Sequence, residues 1–324
     1  MTILVTGAAG YIGSHTCSAL LKQGYQVVAL DNLCSGFKEA VPQGCDFQFA
    51  DIRDTEHLKF ILTKKPVDGI IHFAAKTVVG DSIKNPTEYY DINFNGTLSL
   101  AKVAESLKIQ HFVFSSTAAV YSGEKSGFVS EKSSTNPLTP YGQSKLMSEQ
   151  LLLDCHKAFN LRISLLRYFN VAGGSPGFDN GQRTVNATHL VKICAEAAAG
   201  KRTSVEVYGT DYETHDGTGV RDYIHVCDLA DLHILALKEI KVSQVPLLLN
   251  CGYGKGHSVF DVIKAMEKVS GKKIKIKNSP RRKGDLECVV ADTAKLQSTF
   301  NWSPQYNNLE LICKTAFEWE KKLP

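Results

Sequence analysis

A chain of 324 residues exceeds the size at which one hydrophobic core stops growing, so two lobes, or a large domain with a smaller one attached, are expected. Hydrophobic residues make up 43% of the chain and charged residues 22%, which excludes an intrinsically disordered or fibrous protein. The formal net charge of +4 is small for this length, and the lysines and arginines are scattered, so we expect no nucleic-acid partner.

The cysteines and the amino-terminal segment indicate in which cellular compartment the protein is expected. The nine cysteines form no C-x-x-C pair and no metal-like spacing with histidine, which is typical of free thiols in a reducing environment and predicts no bound metal. A strand-like segment at 2–6 follows Met1 directly and leaves no room for a signal peptide, and no apolar run approaches membrane-spanning length. We therefore expect a cytoplasmic protein with no membrane association.

Short apolar strands alternate with helices through the first half of the chain. Strands are predicted at 2–6, 26–31, 47–50, 69–73, 111–115 and 161–167, and helices at 12–22, 55–63, 86–107 and 141–159. This alternation predicts an α/β fold with a doubly wound parallel sheet covered by helices on both faces.

The second half has a different texture. Beyond about residue 167, loops rich in Gly, Asn and Thr separate shorter elements, which predicts a smaller α/β lobe. A helix at 228–238 and a strand at 247–251 are also expected, and these elements can return to the sheet. The predicted domains are thus 1–170 and 171–324, with about 226–251 as a segment that can rejoin the first.

A glycine-rich loop joins the first strand to the first helix. Gly7, Gly10 and Gly13 stand where glycines permit a tight turn and let the backbone approach a pyrophosphate at the helix amino end. Asp31 closes the second strand, where a carboxylate can accept hydrogen bonds from the adenosine ribose hydroxyls. This combination predicts a dinucleotide site of the Rossmann type, whereas the glycines alone would fit a turn needed only for packing.

The residues around this loop favour one cofactor. No arginine follows Asp31, since the next residues are Asn32 and Leu33, so nothing nearby would bind a ribose 2′-phosphate and NAD is expected rather than NADP. Asp51 and the segment 73–75 follow the third and fourth strands, at the sheet edge where such folds bind ligands. A turn aspartate and ordinary strand termination explain these residues equally well.

A tyrosine and a lysine stand four residues apart at the start of a predicted helix. This spacing puts Tyr141 and Lys145 on one helix face, in reach of the same ligand. An ammonium about 4 Å from the phenol, together with a positive nicotinamide ring, is expected to lower the tyrosine pKa toward neutrality, as a general base requires. Thr117 follows a strand that ends at the same edge and can orient a reacting hydroxyl, although such a residue is more often a cap or turn.

With these residues placed, the chain resembles the extended short-chain dehydrogenases and, among them, the UDP-glucose 4-epimerases over essentially its whole length. The matching segments are 7–13, 31–33, 72–75, 89–93, 115–121, 141–145, 167–170, 209–212, 216–218, 221–226 and 281–285. The resemblance implies a Rossmann domain and a UDP-sugar-binding lobe, with tightly bound NAD. It also implies interconversion of UDP-glucose and UDP-galactose by transient oxidation at sugar C4.

The resemblance assigns roles to individual residues. It implies that Thr117, Tyr141 and Lys145 are catalytic. It implies cofactor contacts from Gly7, Gly10, Tyr11, Ile12, Gly13, Asp31, Asn32, Asp51, Ile52, Phe73, Ala74, Ala75, Asn93, Ser115, Tyr141, Lys145 and Tyr168. It implies substrate contacts from Thr117, Asn170, His189, Leu190, Tyr208, Arg221, Arg282, Asp285 and Val289. His189 departs from the asparagine of some members, and Lys76 is shifted from the usual place of a lysine after the fourth strand.

Two other functions stay open. A sugar-nucleotide 4,6-dehydratase oxidises C4 in the same way, but such enzymes carry Asp-Glu after the catalytic threonine, whereas Ala118 and Ala119 stand here and cannot move protons. A non-catalytic NAD(H)-sensing protein would keep the fold without turnover, which the joint presence of Thr117, Tyr141 and Lys145 disfavours.

Two further expectations concern substrate breadth and assembly. Val289 stands where relatives restricted to glucose and galactose carry a bulky tyrosine, so the sugar pocket is expected to admit the N-acetylated sugars UDP-GlcNAc and UDP-GalNAc. Members of the family tend to form dimers by pairing two long helices. The candidates here are 86–107 and 141–159, which predicts a homodimer.

Overall fold

The computed structural model describes residues 1–124, 126–282 and 284–324, so Lys283 of the last matching segment lies outside the described residues. The strands are β1 Thr2–Thr6, β2 Gln26–Asp31, β3 Asp46–Phe49, β4 Gly69–His72, β5 His111–Thr117, β6 Phe128–Val129, β7 Arg162–Tyr168, β8 Asn170–Ala172, β9 Val205–Tyr208, β10 Val220–His225, β11 Leu247–Cys251, β12 Gly256–Ser258, β13 Ile276–Ser279 and β14 Cys288–Ala291. The α-helices are α1 Tyr11–Lys22, α2 Thr55–Lys64, α3 Val79–Lys84, α4 Pro86–Tyr89, α5 Gly96–Leu107, α6 Pro140–Phe159, α7 Leu190–Ala198, α8 Val226–Val242, α9 Val259–Ser270, α10 Ala294–Phe300 and α11 Leu309–Glu320.

A seven-stranded parallel sheet in the order β11-β7-β5-β4-β1-β2-β3 confirms the predicted fold class. Its central strands are buried apolar runs, because helices cover both faces of a parallel sheet. From β1 the chain first proceeds to β2 and β3 on one side and then crosses to β4 and β5 on the other. Ligands of such sheets bind beyond the carboxyl ends of the strands at this reversal.

The carboxyl ends of the central strands are in register there. Thr6 of β1 pairs with Leu30 of β2 and with His72 of β4. The Thr6 hydroxyl also lies 2.7 Å from His72 Nδ1, and burial lowers the pKa of His72 well below its usual value. A neutral imidazole therefore joins two strand ends directly beneath the expected ligand edge.

The helix expected at 86–107 is not a single α-helix. It consists of α4, a π-helical turn at Tyr90–Asn95, and α5. The buried side chain of Asn93 bonds outside the helix, because its Oδ1 accepts from Lys76 N at 2.8 Å and its Nδ2 donates to Lys76 O and Ser144 Oγ at 3.1 Å. Hydrophobic periodicity does not reveal these bonds, and π-helical turns are frequent at functional sites.

The described chain divides into two compact units. The first comprises 1–122, 135–167 and 230–249, and the second comprises 123–134, 168–229 and 250–324. The second unit contains a five-stranded sheet, in which β12, β10, β14 and β6 follow one another and β8 also pairs with β10, and a two-stranded sheet of β13 and β9. Its apolar core gathers buried side chains from α7, α9 and α11. No helix within the described ranges is long and apolar enough to cross a bilayer.

Candidate active site

The loop between β1 and α1 approaches its surroundings too closely for side chains at two glycines. A Cβ at Gly7, whose φ is +69°, would lie 2.7 Å from Ala74 N. A Cβ at Gly13 would lie 2.1 Å from Gly7 O. Since Ser14 N donates to Gly10 O at 3.0 Å, the helix begins within this loop, and the backbone amide groups of its first turn lie there. The donor set fits a pyrophosphate.

The carboxylate of Asp31 ties the end of β2 to this loop. Its Oδ2 accepts from Ala9 N at 2.9 Å, and its Oδ1 accepts from Leu33 N at 2.8 Å. Burial raises the pKa of Asp31, and these backbone bonds act in the opposite sense. Each oxygen keeps acceptor capacity after one backbone bond, so the group fits a ribose that presents hydroxyls.

Arg53 is a neighbour of this site that the sequence analysis missed. It binds Asp51 at both oxygens, at 2.9 and 2.8 Å, and reaches Asp91 at 2.6 Å. Its hydrogen bonds lower the pKa of Asp51 to about 2. Asn32 Nδ2 also donates to Asp51 at 3.1 Å. Because two carboxylates engage Arg53, the guanidinium is not left over for a 2′-phosphate, which agrees with the expected preference for NAD.

The segment after β4 is held by backbone bonds. Phe73 N donates to Thr6 O at 3.1 Å, and the Phe73 ring packs 4.6 Å from the His233 ring. Ala74 and Ala75 lead to Lys76, whose backbone is bound by Asn93. Asn93 thus holds the chain at the expected cofactor edge, and the direct cofactor contact implied by the resemblance stays a prediction.

Tyr141 and Thr117 come together at the start of α6. Pro140 occupies the first turn, and the Thr139 hydroxyl caps the helix by accepting from Gly142 N at 3.3 Å. Thr117 ends β5, and its hydroxyl accepts from Ala119 N at 3.1 Å. Burial raises the pKa of the Tyr141 phenol, and a hydrogen bond with Thr117 lowers it. Thr117, which we predicted to orient a reacting hydroxyl, thus bonds the Tyr141 phenol and also caps the turn that follows it.

Lys145 lies one turn further along the same helix. Its side chain is buried, Nζ donates to Ser115 O at 2.8 Å, and Nζ lies 4.8 Å from the centre of the Phe114 ring. Burial lowers the pKa of Lys145 to about 7, and the charge of Glu149 acts in the opposite sense. The expected net lowering of the Tyr141 pKa is not found in the protein alone, because burial of the phenol outweighs the favourable contacts.

Five of the predicted substrate residues lie on neighbouring elements of the second unit. Arg221 of β10 is paired with Val289 of β14 in the sheet, and its guanidinium binds Asp285 at 2.7 Å. The guanidinium of Arg282 stacks 3.6 Å from the centre of the Tyr208 ring. Two arginines, a carboxylate and an aromatic face suit a nucleotide diphosphate.

Apart from Thr117, which ends β5 in the first unit, the remaining predicted substrate residues occupy element ends in the second unit. Asn170 begins β8 and pairs with Tyr223 of β10. Leu190 begins α7, directly after His189, whose Nδ1 lies 2.9 Å from Gln182 Nε2. Tyr168, expected at the cofactor, ends β7. Arg281 lies in the matching segment 281–285, where no role was assigned to it, and its guanidinium stacks 4.1 Å from the centre of the Tyr212 ring.

Comparisons with known proteins agree with this geometry. The model of the "NAD dependent epimerase/dehydratase family" matches residues 3–252. A UDP-glucose 4-epimerase of Azospirillum brasilense is 43% identical over 99% of this chain and 92% of its own length. The crystal structure of the Bifidobacterium longum UDP-glucose 4-epimerase in complex with NAD+ and UDP superposes with a TM-score of 0.94 at 36% identity, covering 99% of this chain and 98% of that one. The Campylobacter jejuni UDP-Glc/GlcNAc 4-epimerase gives a TM-score of 0.87 at 43% identity, with 99% of both chains covered. With its dinucleotide loop, its tyrosine–lysine helix and these end-to-end similarities, the chain belongs to the NAD dependent epimerase/dehydratase family.

Proposed function

We propose that the chain is an isomerase that interconverts UDP-glucose and UDP-galactose by transient oxidation at sugar C4. The observation that carries the proposal is the buried set of Thr117, Tyr141 and Lys145 in the unit that also contains the dinucleotide loop. In this proposal the first unit binds NAD and the second binds the UDP moiety. When bound, NAD supplies a hydride acceptor at C4 and afterwards returns the hydride, so no net redox change occurs.

Tyr141 acts as the base in this scheme. Its phenolate takes the proton of the C4 hydroxyl during oxidation. It returns the proton to the C4 oxygen after the sugar has rotated to present its other face. Thr117 already bonds the phenol and orients the reacting hydroxyl. The ammonium of Lys145, held by the Ser115 carbonyl, favours the ionised phenol.

The UDP moiety provides the fixed point of the reaction. Arg221 and Arg282 bind the diphosphate, and Asp285 and Tyr208 complete the nucleotide site, with Asn170, His189 and Leu190 as further contacts. Because the anchor is the nucleotide, the 4-keto sugar can rotate about its diphosphate link and present its other face. The way the protein positions the rotated 4-keto sugar then determines inversion of the configuration at C4.

The residues directly after Thr117 disfavour the dehydratase reaction, which needs an acid and a base there. Residues 118–120 form a short 3-10 turn that begins directly after Thr117, and alanines occupy its first two positions. Methyl groups cannot transfer the protons that elimination of water requires.

Incubation of the purified protein with UDP-galactose, without added reductant, tests the proposal. We expect UDP-glucose to accumulate until both sugars reach equilibrium, as measured by chromatography of the released sugars. A 4-keto-6-deoxy product would indicate the dehydratase, and complete absence of turnover in a folded sample that retains NAD would favour the sensing role.

Val289 supports a second activity on N-acetylated UDP-hexosamines. It is buried in β14 opposite Arg221, and valine occupies less of a sugar pocket than tyrosine does. The Campylobacter jejuni relative is described as a UDP-Glc/GlcNAc 4-epimerase. Parallel assays should show turnover of UDP-GlcNAc that Val289→Tyr reduces while activity on UDP-glucose persists. Failure of the unmodified protein to convert UDP-GlcNAc would refute this activity.

We also propose a cytoplasmic homodimer formed through α5 and α6. Half-buried apolar side chains on this helix pair, Leu98, Leu146, Met147 and Leu151, support an apolar contact with a second copy. Analytical ultracentrifugation should give twice the monomer mass of 35.6 kDa. A monomer at micromolar concentration would contradict the assembly.

A further inference from the structure

A buried ion pair lies directly behind the predicted catalytic group in the first unit. Arg167 at the end of β7 binds Glu149 of α6 through two parallel bonds, Nε to Oε1 at 2.9 Å and Nη2 to Oε2 at 2.5 Å. The exposed fractions of the two side chains are 5% and 3%. Removing such charges from water is costly, and a hydrophobic pair of similar volume often stabilises a fold equally well. Stability alone is therefore a weak explanation for this buried pair.

Glu149 also reaches the strand that carries the reactive contacts. Ser116 donates its hydroxyl hydrogen bond to Glu149 Oε1. Ser116 stands between Ser115, whose carbonyl accepts from Lys145 Nζ at 2.8 Å, and Thr117, which bonds the Tyr141 phenol. Three consecutive residues of β5 thus bind three side chains of α6. The bond between Ser116 and Glu149 holds the end of β5 against α6.

The other end of the ion pair is also fixed. Arg167 Nη1 donates to the Tyr121 hydroxyl at 3.1 Å, and its guanidinium lies 5.0 Å from the centre of the Tyr121 ring. Glu149 and Tyr121, the two residues to which Arg167 donates, both belong to the first unit. The orientation of Glu149 is therefore set by protein groups on both sides.

We propose that Glu149, held by Arg167 and Ser116, is a positioning residue that aligns the Thr117–Tyr141–Lys145 group and keeps the Lys145 ammonium charged. The inference rests on the proposed epimerase function. Glu149 stands one helical turn after Lys145, the spacing at which opposite charges on a helix attract.

Among the described residues, few charged groups face Lys145. On α6 they are Glu149 and the ionisable Tyr141, while β5 offers the Ser115 carbonyl and the Phe114 ring. On β4, burial keeps His72 neutral by lowering its pKa, and the neighbouring Lys145 acts in the same sense. Burial lowers the pKa of Lys145 to about 7, and Glu149 is the group that opposes this change. Without the carboxylate, Lys145 would lose its proton at a lower pH.

The test compares pH profiles of kcat for UDP-galactose in the unmodified protein, Glu149→Gln and Asp154→Asn. Glutamine keeps the shape and can still accept from Ser116, while its NH2 group cannot accept from Arg167, so the variant removes the negative charge and one bond of the ion pair. The alkaline limb of the profile should move to lower pH by about one pH unit or more, a roughly tenfold loss of kcat above that limb, with KM nearly unchanged. Asp154→Asn removes a charge from the exposed face of the same helix, where it pairs with Lys157, and should leave the profile in place.

Ser116→Ala provides a second arm that keeps the ion pair. It should lower kcat without displacing the alkaline limb, because it loosens the strand end and leaves all charges intact. If Glu149→Gln does not fold, as judged by circular dichroism, this variant decides the matter. An unchanged kcat in Ser116→Ala, or a Glu149→Gln profile that overlays the unmodified one, would overturn the proposal. An unmodified protein without turnover would instead refute the proposed function, which makes the two failures distinguishable.

Discussion

Replacing Gly13 with alanine should damage the dinucleotide loop more than its small size suggests. The new Cβ would lie 2.1 Å from Gly7 O, 2.8 Å from Gly7 C and 3.0 Å from Ala8 Cα. These neighbours are backbone atoms, so the loop or the first turn of α1 must move by about 1 Å to restore ordinary contact distances. Forcing extra atoms into a packed site costs about 1–3 kcal/mol, which corresponds to a fall in Tm of roughly 2–5 °C in a protein of this size.

The same displacement moves the amide groups that fit a pyrophosphate. A misplacement of about 1 Å costs roughly 100-fold in turnover. Thermal unfolding followed by circular dichroism gives the stability change, and chromatography of the nucleotide released on denaturation gives the NAD content. We expect Gly13→Ala to lose both stability and most of its NAD.

Gly80→Ala is the matched control for this substitution. Gly80 lies in α3 of the same unit, and outside its own helical turn no heavy atom of the described residues lies within 4 Å of the Cβ that alanine would add. Alanine is favoured over glycine in a helix by about 0.5–1 kcal/mol, so Tm should stay the same or rise slightly. If Gly13→Ala matched Gly80→Ala in Tm and NAD content, the reasoning about the loop would be refuted.

Three other substitutions have distinct expected results. Asp31→Asn places an amide NH2 against a backbone N–H donor, so NAD content should fall at a cost of about 1–3 kcal/mol, and full retention of NAD would argue against the ribose contact. Arg282→Ala should raise KM for the UDP-sugar at least tenfold with little change in kcat, since it removes binding shared by ground and transition states; a selective fall in kcat would contradict an anchoring role. Lys145→Met should abolish turnover yet raise the free energy of unfolding by roughly 2–4 kcal/mol at pH 7, in samples of equal NAD content. Burial lowers the pKa of Lys145 from 10.5 in the unfolded chain to about 7 in the folded protein. The buried lysine therefore destabilises the folded protein fully below pH 7, and this destabilisation vanishes as the pH rises past 10.5. An increase in the free energy of unfolding of Lys145→Met that became larger toward pH 9 would contradict this pH dependence.

Local features were predictable from the sequence where one short segment determines them. The bounds of β1 and β2 agree with those predicted, because buried apolar runs end there at a glycine-rich loop and at an aspartate. The strand expected at 247–251 is indeed the edge of the seven-stranded sheet. The tyrosine–lysine spacing predicted a shared helix face, and both side chains are buried in α6.

Features that depend on contacts distant in sequence were not predictable. The π-helical turn at Tyr90–Asn95 accompanies bonds from Asn93 to Lys76 and Ser144, which helical periodicity does not encode. The pairing of Glu149 with Arg167 joins residues on a helix and a strand. The sign of the Tyr141 pKa shift in the protein alone was not predictable, because burial of the phenol cannot be weighed without the packed structure.

The most direct test measures UDP-galactose conversion by Tyr141→Phe alongside the NAD content of the same sample. Phenylalanine keeps the ring and its packing while removing the group that takes the C4 proton. We predict a normal NAD content with turnover reduced by about 10²–10⁴-fold or more. Conversion at the rate of the unmodified protein would contradict the assignment of Tyr141 as the base.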